Sequence, residues 1–85
     1  MAKQPILPEE WRATSELSQG DLARLLGVTG KNPSGTYRRW AIGANSPPLK
    51  VVQTIEILSK GAVTTASWIA AREQYLAAAA EKAAA

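Results

Sequence analysis

Arg38 and Arg39 stand side by side between Tyr37 and Trp40, seven positions after Lys31. A guanidinium presents a planar fork that can bond a guanine edge or a phosphate in bidentate fashion, and a lysine adds a point charge. Arg24 and Lys50 extend the pattern. From residue 22 to residue 55 the chain carries five basic side chains and no acidic one, a local charge of +5. A one-sign block of this kind inside a folding segment points to a surface that meets a polyanion. Set against this is a plainer account, a solvated face with chance clustering.

Other chemistries find little footing. The chain has no cysteine and no histidine, which removes disulfides, thiolate nucleophiles, zinc sites of the usual ligand sets and imidazole acid–base catalysis. Its seven acids sit mostly at helix starts or in the outer helices, not as paired carboxylates in one element. The reading is therefore a protein that is not an enzyme, with no metal and no cofactor.

The elements that must position these residues come next. Eighty-five residues with 46% hydrophobic and 20% charged side chains suit one domain, 1–85, with a small core. No apolar run nears the ~20 residues of a membrane span, and the N-terminus lacks an apolar signal-peptide core. A soluble, cytoplasmic chain with no membrane association is expected.

Helical signals recur along the chain, and no segment has a strand pattern. Pro8, Glu9 and Glu10 suit the start of a first helix, with Leu7 and Trp11 on one face and Arg12 as an ion-pair or capping residue. Ser18 followed by Asp21 predicts the N-cap of a second helix, buried through Leu22, Ala23 and Leu26 and ended by Gly27. A third spans Thr36 to Ile42 with Tyr37 and Trp40 on one face, and Gly43 ends it. A fourth starts at Ser46-Pro47-Pro48. Its apolar stripe is Leu49, Val52 and Ile55 with Val51 or Leu58 beside them, and Gly61 closes it. A fifth, capped by Thr64 or Thr65, runs into the terminal alanines, which form helix by propensity and bury little. Trp11, Tyr37, Trp40 and Trp68 read as core aromatics. The fold class is all-α with five helices.

Between the second and third helices lies Gly30-Lys31-Asn32-Pro33-Ser34-Gly35, a run of helix breakers. Ala23 and Gly27 have the spacing of a helix-turn-helix, in which a small residue admits the second helix and a glycine makes the turn. The apolar positions that should follow fall on Pro33 and Thr36. An insertion of four residues moves them to Tyr37 and Trp40. In this order, Arg12, Ser18-Gln19, LARLLGV, RRW, Gly43, Pro48 and the stripe of the fourth helix resemble the lambda-repressor/Cro-like (XRE-type) helix-turn-helix family. The resemblance covers about 7–63, and GAVTTASW is similar to small Cro-like phage regulators. The breaker run then reads as an enlarged turn, with Asn32 capping before Pro33 or Ser34 capping one turn later.

The resemblance implies a double-stranded DNA-binding regulator, a phage or mobile-element repressor acting as a homodimer on an inverted repeat. It places base-reading positions on Ser34, Gly35 and Arg39, with Arg38 close by, and backbone contacts on Gln19, Asn45 and Ser46. Lys31, Asn32 and Thr36 belong to the same DNA-facing set. Ser34 and Gly35 have little reach, and Ala44-Asn45 lacks the basic residues often found there, so specificity shifts toward the loop and the arginines. A C-terminal helix of about 65–82 is expected to pack on helices one and four through Trp68 and Ile69. Trp68, Tyr75, Leu76 and Ala79 are the expected dimer residues. The alternative function is a protein-binding module of the same fold, an antitoxin or small phage inhibitor docking an acidic partner. No small-molecule ligand is indicated.

Overall fold

The computed structural model describes residues 5–84, and these form five α-helices and no strand. They are α1 (Pro8–Thr14), α2 (Gln19–Leu25), α3 (Pro33–Ala41), α4 (Leu49–Leu58) and α5 (Thr65–Ala84). Local chemistry sets most of the boundaries. Pro8 sits at the first helical position of α1, where its missing N–H costs nothing. Leu7 has no polar side chain to cap with, and Glu10 instead accepts from the Leu7 N–H at 3.2 Å. Ser18 caps α2 by accepting from the Asp21 N–H at 3.0 Å. The Asp21 carboxylate turns to Arg24 at 3.3 Å.

Three helices end alike. In α2 the N–H of Val28 reaches Ala23 O and that of Gly27 reaches Arg24 O, both at 3.0 Å. This paired bonding satisfies carbonyls that the last helical turn would leave open, with Gly27 in the left-handed region at φ +74°. The same pairing recurs after α3 around Gly43. After α4 both Lys60, at φ 55°, and the expected Gly61, at φ +84°, have positive φ, and the N–H of Gly61 reaches Glu56 O at 2.8 Å.

The core gathers Leu22, Ala23 and Leu26 from α2, Tyr37 and Ala41 from α3, and Val51, Val52 and Ile55 from α4, with Val63 and Trp68 closing it. Trp11 and Trp40 pack against it half-buried. The packing of α2 on α3 is the most extensive between any two helices. Two expectations are corrected here. Leu49 is 70% exposed, and the buried stripe of α4 is Val51, Val52 and Ile55. Ile69 is 53% exposed, whereas Trp68 beside it is 6% exposed, and the helices α5 meets most are α1 and α3. Leu49 is the first residue of α4, at the open end of the helix; Ile69 lies about 100° round α5 from Trp68, which takes the inward position.

From Arg72 to Ala84 every residue of α5 is exposed. Its last 13 residues, about 20 Å at 1.5 Å per residue, continue past the helices that cover its first two turns. The radius of gyration is 13.1 Å, larger than the ~12 Å expected of a compact chain of this length.

Candidate nucleic-acid interface

The candidate surface is built on α3 and the loops at its two ends. Asn32 fixes where α3 begins. Its Oδ1 accepts from the Gly35 N–H at 3.0 Å and from the Ser34 hydroxyl at 3.2 Å, and Pro33 occupies the first helical position. The sequence left the cap open between Asn32 and Ser34; the structure selects Asn32. Pro33, Ser34 and Gly35 therefore form the first turn of α3, and the enlarged turn ends at Asn32, earlier than the breaker run suggested. A Cβ at Gly35 would run into the Asn32 side chain, which would have to leave its cap position.

Along α3, Tyr37 and Ala41 face inward and Arg38 and Arg39 are exposed. Thr36 is half-buried, and its hydroxyl donates to Asn32 O at 3.2 Å. Arg39 approaches the Thr36 hydroxyl only at 3.5 Å, so its guanidinium is essentially unrestrained. The ion pairs among the described residues are Arg12–Glu9 and Arg24–Asp21. Of the five basic residues in the acid-free stretch, Arg24 is thus offset, and Lys31, Arg38, Arg39 and Lys50 have no acidic partner among the described residues. Lys31, Asn45 and Ser46 are exposed.

Gln19 has a different employment. Its Nε2 donates to Glu9 Oε1 at 2.8 Å. Glu9 also accepts from Arg12 Nε at 2.8 Å and from the Tyr37 hydroxyl at 2.9 Å. Arg12 in turn donates through Nη1 to Leu17 O at 2.7 Å. One carboxylate so ties α1, the start of α2 and the middle of α3. Burial pushes the Glu9 carboxyl up, but the donors Arg12, Gln19 and Tyr37 outweigh it and hold Glu9 below the usual glutamate range. Tyr37 is driven well above the ordinary phenol value by burial and by the Glu9 charge, so it remains a hydroxyl donor. The hydrogen bond to Glu9 raises Arg12 further. One of the two Gln19 amide hydrogens is thus given to a carboxylate, which leaves the other for the expected backbone contact.

Two residues missed by sequence reasoning also shape the surface. In the sequence Glu9 is only a first-turn acid, since its partners lie up to 28 positions away. Arg72 on α5 donates through Nη1 to Gly43 O at 2.7 Å and Ala44 O at 3.0 Å, seating the turn that follows α3. Gly43 permits this close approach, because a Cβ there would collide with the backbone of Ala71 and Arg72. A cleft of 260 Å³ lies alongside, between Trp40, Asn45, Pro47, Trp68 and Arg72. Of the expected dimer residues, Trp68 is buried in its own protomer, and Tyr75, Leu76 and Ala79 are exposed.

No helix among the described residues is long and apolar enough to cross a membrane. Comparison with family models, curated proteins and solved structures finds no match to this chain.

Proposed function

We propose that the chain is a sequence-specific double-stranded DNA-binding regulator of the lambda-repressor/Cro-like type, a phage or mobile-element repressor that binds an inverted repeat as a dimer. The observation that supports this reading is the state of α3. Its inner face is locked by Tyr37 and Ala41, its start is capped by Asn32, and its outer face carries Arg38 and Arg39 exposed and without acidic partners among the described residues. Exposed, unmatched cations on a rigid helix raise affinity for phosphate and can read base edges at little reorganisation cost. In this reading Arg39 reads guanine, Arg38 reads a base or holds a phosphate, and Lys31, Ser46 and Asn45 position the backbone.

A second reading gives the same basic face to an acidic protein. Leu25 favours it, lying next to Arg24 and 59% exposed, a side chain better suited to a protein surface than to a phosphate backbone. Salt titration separates the two. Duplex binding that falls steeply between about 50 and 200 mM salt supports the regulator. No duplex binding at low salt would sink it. Selection of bound fragments from random duplex DNA then yields the site, its palindromy and its half-site spacing.

A further inference from the structure

The loop that follows α3 lacks a cation of its own from Ile42 to Leu49. It also sits at the end of a helix, where the outward carbonyls carry negative partial charge and disfavour a phosphate. A backbone contact at Asn45 and Ser46 thus requires a positive group from elsewhere. Arg72 is placed to be that group.

We infer that Arg72, carried by α5, is a DNA-phosphate contact that completes the surface formed by Asn45 and Ser46; this rests on the DNA-binding reading above. Both Nη1 hydrogens are spent on Gly43 O and Ala44 O, at 2.7 and 3.0 Å. Those two bonds neutralise the carbonyls that would repel an anion. The guanidinium carbon lies 5.9 Å from the centre of the Tyr75 ring, close enough for the ring to hold the plane of the group. What remains is the other edge of the fork, Nε–H with the Nη2 hydrogens, which meets no acceptor among the described residues. That edge is the one a phosphate engages with two parallel N–H···O bonds. An arginine pinned in this way loses little further side-chain freedom on binding. Asn45 and Ser46 line the same cleft as Arg72, so one phosphate oxygen can be shared between their polar groups and the guanidinium. Glu73 also lines that cleft and makes no ion pair with Arg72 among the described residues. Its charge opposes the anion, and it lies about 100° round the helix from Arg72.

The test is the salt dependence of binding to a mixed-sequence duplex of about 20 base pairs, from about 50 to 200 mM NaCl. Each protein–phosphate contact contributes about 0.9 to the slope of log K against log salt. Arg72→Gln is expected to lower that slope by about 0.9 per bound protomer, and Arg72→Lys to retain most of it. Glu73→Gln leaves the seat on Gly43 and Ala44 intact and should tighten binding to every duplex roughly two- to five-fold. An Arg72→Gln protein that binds more weakly with an unchanged slope would show that Arg72 only seats the loop, which overturns the contact. A Glu73→Gln protein of unaltered affinity would also count against it, and that variant does not depend on the loop surviving the loss of Arg72. If the unmodified protein shows no salt-dependent duplex binding, the DNA-binding reading itself fails, a result distinct from a failure confined to Arg72.

Discussion

Individual side chains divide into those whose role follows from type alone and those whose role depends on a distant partner. Arg38, Arg39 and Lys31 were legible as exposed cations because nothing nearby in sequence could neutralise them, and they are exposed in the fold. Removing the Arg39 guanidinium should cost roughly 1–3 kcal/mol of specific DNA affinity and relax preference at one base pair per half-site. Base preferences left unchanged in Arg39→Ala, measured by fragment selection, would place the recognition surface elsewhere. Glu9 was opaque, since its three donors come from Arg12, Gln19 and Tyr37 and only the first is local. Its folded-state pKa is depressed, so its stabilising contribution is present above the unfolded value of about 4.3 and is lost as pH falls through the lower folded value. Glu9→Gln should therefore lower stability at neutral pH by about 1–2 kcal/mol, toward the low end because the group is partly solvated. The same variant should lose less stability than the parent as pH is taken from about 5 to 3. Urea titrations across that range would reveal the difference, and parallel pH profiles for the two proteins would show that the network is not held by charge.

At the scale of elements, helix existence was legible and helix faces less so. Caps are local, and Ser18, Gly27 and Gly43 act where their types suggest. The α4 segment LKVVQTIEIL is apolar nearly all round, so periodicity alone did not exclude Leu49 from the core; the packing places Val51 there and leaves Leu49 and Ile57 outside, at 70% and 76% exposure. The breaker run likewise puts the start of the third helix at Thr36, three residues after the observed Pro33. Pro33, Ser34 and Gly35 are poor in a helix interior but acceptable in a first turn behind an Asn cap. That arrangement predicts a change of sign. Asn32→Ala should cost about 1 kcal/mol by removing the cap. Gly35→Ala in the parent sets a Cβ against the Asn32 side chain and should be destabilising, although alanine is the better helix former by about 1 kcal/mol. In the Asn32→Ala background the obstruction is gone, and Gly35→Ala should then stabilise. Thermal melts of the four proteins in this cycle give the answer; the same effect of Gly35→Ala in both backgrounds would mean that Asn32 does not hold the cap.

For the whole molecule the unsolved element is the second half of α5. Beyond Arg72, which is tied to Gly43 O and Ala44 O, α5 continues through Glu73–Ala84 with every residue exposed. An isolated helix of about that length is marginal in water even when alanine-rich. Yet Tyr75, Leu76 and Ala79 lie on one face of this projecting segment, on the side that carries Ile69 and Arg72 as well. The sequence pointed to this stripe through its width and offered Trp68 both to the core and to the dimer face; the fold buries it in the protomer, because the other helices reach that far along α5. A second copy of the chain, packed across this stripe, would bury Leu76 and allow close approach at the alanines. On the regulator reading it would also set two α3 helices about 34 Å apart, one turn of DNA. Replacing Tyr75 would disturb Arg72, whose guanidinium it faces, and so confuse dimer loss with loss of a DNA contact. Leu76→Glu combined with Ala79→Glu spares that pair. The double variant should remain helical, with a melting temperature at low protein concentration close to the parent's, since neither side chain supports the protomer core. It should sediment as a monomer and lose most affinity for an inverted repeat while keeping weak, salt-sensitive binding to a single half-site. If the parent is itself a monomer at tens of micromolar but the variant still loses the inverted repeat, the dimer forms only on DNA. Equal binding of parent and variant to the inverted repeat would remove α5 from the assembly altogether.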